Sequence, residues 1–319
     1  MRKTFYILLF CLLPFVGFSK ESYNVLSFPQ AEFLTSNTTR IPFQLVDHLI
    51  VIEAQLLDQK GNFIIDTGSE SLILNKNHFK GYHSNLNTPK QTTGIFDFID
   101  NPLEKRLKEF IIKDLIIQNK LSDVIDLSHI ESSKKMHLLG IIGYDILKDF
   151  EIFIDMHLNQ ITLSKINNEG DKLDDSVYLE KIIDSVDFKL KNHTIVIKAN
   201  VNGKILKFGL DTAAEYNQLN KKIDKVALKQ FFPKRRLQLI GASGQKIEVL
   251  AGKLYRVKLT KTIYYGPMHT ILTNLNQMNN AFGTKLDGVL GYEFFRQQRT
   301  IINYKKEKLY FVKNPLYKQ

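Results

Sequence analysis

Along this chain, apolar and β-branched residues gather in short runs broken by Gly, Asn, Asp and Lys, the spacing of strands rather than of helices. Residues 48–57 form one such run, residues 58–61 (Asp-Gln-Lys-Gly) supply turn chemistry, and residues 62–65 lead straight into Asp66. A second run at 194–201 meets Asn202-Gly203, the strongest short hairpin signal, and residues 204–210 then reach Asp211. Further strands are predicted at 110–118, 151–155, 160–163, 253–259, 300–304 and 308–312. Only residues 144–148 and 292–297 read as short helices. The pattern predicts an all-β protein.

The two hairpins are copies. Offset by 145 residues, 43–76 and 188–221 agree at 14 of 34 positions without a gap, where average residue usage gives about two. The matches include His48 with His193, Asp66-Thr67 with Asp211-Thr212, Glu70 with Glu215 and Leu74-Asn75-Lys76 with Leu219-Asn220-Lys221. Farther along, an offset of 148 aligns Gly140, Gly143-Tyr144 and Ile154 with Gly288, Gly291-Tyr292 and Ile302. Conserved order and spacing predict two homologous lobes, at 20–166 and 186–319, joined by a polar linker at 167–185.

Composition narrows the function. A single cysteine, Cys11, excludes an intramolecular disulfide framework and any Cys-based zinc cage. The net charge of +11 is carried by dispersed lysines, so we expect a solvated surface and no nucleic-acid partner. Arg2 and Lys3 precede an apolar run at 5–18 that is too short to span a bilayer comfortably, and Gly17 and Ser19 follow at small-residue positions. Residues 1–19 therefore read as a signal peptide, with an uncleaved anchor as the alternative. The expected location is periplasmic or extracellular.

The candidate chemistry sits where each hairpin ends. Asp66-Thr67-Gly68-Ser69 follows Phe63-Ile64-Ile65, and Asp211-Thr212-Ala213-Ala214 follows Phe208-Gly209-Leu210. One such turn is weak evidence, since Asp and Gly are common turn residues. Two in register are stronger, each followed by two aliphatics and a glycine: Ile141-Ile142-Gly143 and Val289-Leu290-Gly291. On these residues the sequence resembles the retropepsin-like aspartic peptidases, as a bacterial-type single chain carrying two copies of the fold in the bilobal, pepsin-like arrangement.

The resemblance covers roughly residues 41–313 and implies an aspartic endopeptidase. It makes Asp66 and Asp211 the catalytic dyad, Thr67 and Thr212 the braces across a pseudo-twofold, and Gly143 and Gly291 the backbone behind the loops. Glycine-containing segments at Gly94 and at Gly241 and Gly244 become candidate flaps. Two departures stand out: Ala213 replaces the usual glycine, and Tyr144 and Tyr292 replace a basic residue common in the family. Two close carboxylates share a proton and titrate as a pair, which suits them to activate water. No metal or cofactor is called for, and the eight histidines read as surface or satisfied polar groups. The expected partner is a polypeptide substrate, bound by a monomer with both lobes in one chain. Ser69 is expected either to donate its hydroxyl to Asp66, leaving the shared proton on Asp211, or to cap a backbone turn. The alternative function is a catalytically decayed protein that binds peptides or acts as a scaffold.

Overall fold

The computed structural model describes residues 23–30, 32–81, 83–84, 91–93, 98–100, 103–174, 180–240 and 246–314. The chain is all-β, with three large sheets and only short helices between strands.

In the first sheet, Leu49–Leu56 pairs antiparallel with Gln59–Ile65, setting Val51 opposite Ile64. Gln59–Ile65 runs parallel to Leu138–Ile142, with Ile64 opposite Ile141. Leu138–Ile142 is in turn antiparallel to Leu72–Asn75, which runs parallel to Leu115–Ile125. The second sheet repeats these pairings in order and sense. Thr194–Val201 pairs with Lys204–Leu210, Val196 opposite Gly209. Lys204–Leu210 runs parallel to Gly288–Leu290, with Gly209 opposite Val289. Gly288–Leu290 is antiparallel to Asn217–Asn220, which is parallel to Met268–Thr273.

The third sheet draws on both halves of the sequence. Its seven strands lie in the order Glu32–Thr35, Thr38–Pro42, Gln160–Lys165, Phe150–Asp155, Arg299–Asn303, Lys308–Val312 and Ile182–Asp187. The halves meet where Ile152 faces Ile302. Ile182–Asp187, which overlaps the end of the span expected to be linker, is an edge strand here. Thr38–Pro42 pairs along its whole length with Gln160–Lys165 and is part of the sheet.

Both faces of the central strands are covered. Ile50, Ile52, Phe63 and Ile65 join the main core, whereas Leu49, Val51, Ile64 and Ile141 form a second apolar cluster on the opposite face. Such strands read as continuous apolar runs instead of alternating ones. Phe63, Phe110, Phe208, Phe294 and Phe311 are fully buried, each contributing about 1.5–3 kcal/mol of transfer free energy.

Two strand expectations are corrected. Residues 110–118 hold a hairpin turn between Leu103–Ile112 and Leu115–Ile125, because Lys113 adopts a left-handed φ of 55°. The Lys113 ammonium is held by Glu53 at 2.9 Å on the neighbouring strand. Residues 253–259 are likewise split at Arg256, φ 55°, between Lys246–Leu254 and Val257–Lys258. Short helices at Tyr144–Leu147 and Tyr292–Gln297 stand where the sequence placed them. Among the described residues, no helix is long and apolar enough to cross a membrane.

Candidate active site

The two central hairpins deliver Asp66 and Asp211 to one place. Each follows a buried strand, and each backbone N–H donates at 3.0 Å to the strand alongside: Asp66 to the Ile142 carbonyl, Asp211 to the Leu290 carbonyl. These bonds extend the parallel ladders by one residue and fix where the chain turns. The turns then fold back on their own carboxylates. Gly68 and Ser69 N–H donate to Asp66 Oδ1 at 2.8 and 3.1 Å, and Ala213 N–H donates to Asp211 Oδ1 at 2.8 Å.

Thr67 and Thr212, both fully buried, lock the turns together. Each backbone N–H donates at 3.0 Å to the other threonine's hydroxyl oxygen. The Thr212 hydroxyl passes its own proton to the Ile65 carbonyl at 2.8 Å, and that of Thr67 reaches the Leu210 carbonyl at 3.4 Å.

Gly143 and Gly291 leave no room for a side chain behind the turns. A Cβ on Gly143 would lie 2.4 Å from the Ser71 carbonyl oxygen, and one on Gly291 would lie 2.1 Å from that of Ala214. The residues that follow use this approach, Tyr144 N–H donating to Ser69 O at 2.9 Å and Tyr292 N–H to Ala214 O at 3.0 Å. Gly68 meets a different limit, since a Cβ there would stand 2.7 Å from the Asp211 carboxylate carbon. At Ala213 the backbone is not left-handed, and the residue packs against the apolar cluster of Val51, Ile64 and Ile141. Alanine is therefore accommodated without backbone strain.

The carboxylates form a hydrogen-bonded pair. Burial raises both above the ordinary carboxylate range, their mutual interaction adding to it, while backbone N–H groups of Gly68 and Ser69 on Asp66 and of Ala213 and Ala214 on Asp211 pull the other way. The two carboxyls therefore share a proton and titrate as a pair. The Ser69 hydroxyl is turned away and donates to the Ser71 carbonyl at 3.3 Å, capping the turn.

Sequence reasoning missed His193 beside the pair and the matching setting of His48. His193 is buried, and its Nδ1 lies 3.8 Å from the Glu70 carboxylate. Its ring meets Phe282 edge-on at 5.2 Å. Burial holds its pKa below the usual value, against weaker pulls from Glu70, Asp145 and Asp211. Its counterpart His48 places Nδ1 3.1 Å from the Glu215 carbonyl and stacks on Tyr292 at 4.2 Å. The repeat carries the signal: His48 and Glu70 match His193 and Glu215 at the same offset, and the partners cross from one copy to the other. Tyr144 instead meets Tyr304 edge-on at 5.1 Å, with Lys148 Nζ 5.3 Å from the Tyr144 ring centre.

Gly94, Gly241 and Gly244 lie outside the described residues. The strands flanking them pair antiparallel: Gln91–Thr93 with Phe98–Asp100, and Phe231–Ile240 with Lys246–Leu254. Two surface depressions lie elsewhere, one beside Phe28, Glu53 and Lys113 and the other beside Lys198 and Lys258; neither is lined by the carboxylate pair.

No family model and no curated protein matches the chain.

Proposed function

We propose that the protein is an exported aspartic endopeptidase of the two-lobed retropepsin-like kind, with Asp66 and Asp211 as its catalytic dyad. The observation that carries this reading is the proton-sharing carboxylate pair, held by two turns that brace each other through Thr67 and Thr212. The strand-for-strand recurrence of pairings in the two sheets supports the two-lobed part of the reading.

A carboxyl pair holding one proton supplies the chemistry. Its ionised member takes a proton from a water lying between the carboxylates, and the resulting hydroxide attacks the peptide carbonyl carbon. The protonated member hydrogen-bonds the carbonyl oxygen and donates its proton as that oxygen gains charge. The tetrahedral adduct collapses when the first carboxyl gives its proton to the leaving nitrogen and the second takes one back from an adduct hydroxyl, so acid and base exchange roles within one turnover. The fixed backbone donors on each carboxylate hold the lone pairs in place through both steps.

The test is cleavage of a mixed peptide library by the full chain, with Asp66→Asn and Asp211→Asn beside it. Each variant should lose about 10²–10⁴-fold in kcat/KM, and the double variant should lose little more, because the two act as one unit. Full activity in Asp211→Asn would overturn the reading. Peptide binding without turnover in the unaltered chain would favour the scaffold alternative.

A further inference from the structure

A second group of titratable side chains sits away from the carboxylate pair, at the opposite end of strand Leu138–Ile142 from Gly143. His78 follows strand Leu72–Asn75, Glu131 lies on helix Ser128–Lys134, and His137 immediately precedes Leu138. One ligand atom from each lies within 4.8 Å of the other two. His78 Nε2 is 2.8 Å from Glu131 Oε1, and the two imidazole rings are 4.2 Å apart.

We propose that His78, Glu131 and His137 form a binding site for a borderline divalent cation of the zinc type. Two imidazole nitrogens and one carboxylate oxygen are a donor set that zinc accepts, with water completing a tetrahedron. Zinc bonds of about 2.0–2.1 Å place tetrahedral ligand atoms about 3.3 Å apart. The close His78–Glu131 pair has only to open slightly while the third donor closes, movements that side-chain rotation supplies.

The surroundings have the features of a built site. Glu131 is buried, and its Oε1 also accepts the Leu138 N–H at 2.8 Å, which fixes the carboxylate's orientation. One strand, Gln59–Ile65, secures the backbone of both histidines. Gln59 Nε2 donates to the His78 carbonyl at 2.8 Å, and Asn62 Nδ2 donates to the His137 carbonyl at 2.7 Å. Such outer bonds hold ligands in register before the ion arrives. Exposed His137 leaves the site open to solvent on one side. The ion would staple the helix to two strand ends and stabilise the fold, and the proposal does not depend on the peptidase reading.

The experiment uses the full untagged chain, stripped by chelator and titrated with Zn²⁺ in competition with a chromophoric chelator. We expect one zinc per chain, a rise of several degrees in Tm under saturating zinc, and tetrahedral absorption bands on substitution with Co²⁺. His137→Ala, at an exposed position, should fold normally and weaken zinc binding about 10²-fold. Glu131→Gln tests the buried ligand, and Asp66→Asn should bind zinc as the unaltered chain does. Failure of the unaltered chain to take zinc from the chelator, or equal binding by His137→Ala, would overturn the proposal and leave a purely structural His78–Glu131 hydrogen bond. Loss of the zinc only in Asp66→Asn would overturn it too, by moving the ion to the carboxylate pair.

Discussion

Thr67 and Thr212 satisfy each other's backbone N–H groups through their hydroxyls at 3.0 Å, with both residues out of reach of water. Each hydroxyl also donates to a carbonyl of the opposite copy, but at unequal lengths, 2.8 Å from Thr212 and 3.4 Å from Thr67. Replacing Thr212 by isosteric Val strands the Thr67 N–H and the Ile65 carbonyl, about 1–3 kcal/mol for each buried group left unsatisfied. Thr67→Val should cost less, because the bond it removes to Leu210 is long. Thr212→Ser keeps the hydroxyl and should recover most of the loss. Urea denaturation of the three variants checks the order, and equal midpoints for Thr212→Val and the unaltered chain would show that the brace carries no stability.

Gly68 and Ala213 occupy matching positions with opposite tolerances. A Cβ at Gly68 would fall 2.7 Å from the Asp211 carboxylate, whereas the Ala213 methyl already packs on an apolar cluster. Gly68→Ala should therefore push the carboxylates apart and lower kcat by about 10²-fold, since a displacement near 1 Å suffices for that. Ala213→Gly should keep turnover and lose roughly 1 kcal/mol of stability, from lost packing and added backbone entropy. Kinetics paired with thermal melts on both variants separates the two effects. Equal activity in Gly68→Ala would mean that the turn yields easily.

The carboxylate pair makes stability depend on pH in an unusual direction. Burial and mutual repulsion raise the folded-state pKa of Asp66 above its unfolded value. The folded chain then holds a proton that the unfolded chain releases, so this contribution is present below the unfolded pKa of about 3.8–3.9 and is lost as pH rises through the folded value. Asp66→Asn removes the liability. Its Tm should exceed that of the unaltered chain at pH 7, and the difference should shrink toward pH 4. A difference that is flat with pH would mean that the pair is not strained by charge.

His193 has the opposite sign. Burial depresses its folded-state pKa, so neutral His193 is compatible with the fold above the unfolded pKa of about 6.5, and stability falls as pH drops from there toward the folded value. His193→Phe, which cannot be protonated, should narrow the loss of Tm between pH 7 and pH 5. Parallel Tm curves for variant and parent would assign the acid sensitivity to other groups.

Much of this was legible because the chain states it twice. The hairpins reaching Asp66 and Asp211 were read from pattern and repeat, the place of Gly143 and Gly291 came from the family resemblance, and the strands of the hairpins pair as expected. What escaped were features set by partners distant in sequence. Lys113 turns left-handed beside Glu53, 60 positions away, in a stretch whose apolar residues read as one strand. For Ser69 the sequence left two roles open, and its hydroxyl takes the turn-capping one, donating to the Ser71 carbonyl. His78, Glu131 and His137 are spread over 60 positions and have no ligand-like spacing, so only the fold brings them together.

Arg299 opens the strand at which the two halves of the sequence join, and it is almost wholly buried. Its guanidinium donates from Nε to Asp155 Oδ2 at 2.8 Å and makes a forked pair with Glu180 at 2.8 and 2.6 Å. It also donates to the Lys313 carbonyl at 2.9 Å and lies 5.0 Å from the Phe153 ring centre. One side chain thus ties a strand of the first half, the connecting segment and the residue that follows the last described strand. Arg299→Met leaves Asp155 buried without a counter-charge, and breaking a buried pair in this way costs about 3–5 kcal/mol. Arg299→Lys keeps the charge but cannot serve both carboxylates and the carbonyl from a single ammonium, so it should fall between. Adding Asp155→Asn to Arg299→Met removes the stranded charge while retaining the side-chain oxygen that accepts from His157 and Leu158. The double variant should therefore be more stable than Arg299→Met alone. Urea melts of the four proteins measure this, and a double variant no better than Arg299→Met would show that the seam is held by the packing of the arginine rather than by its charge.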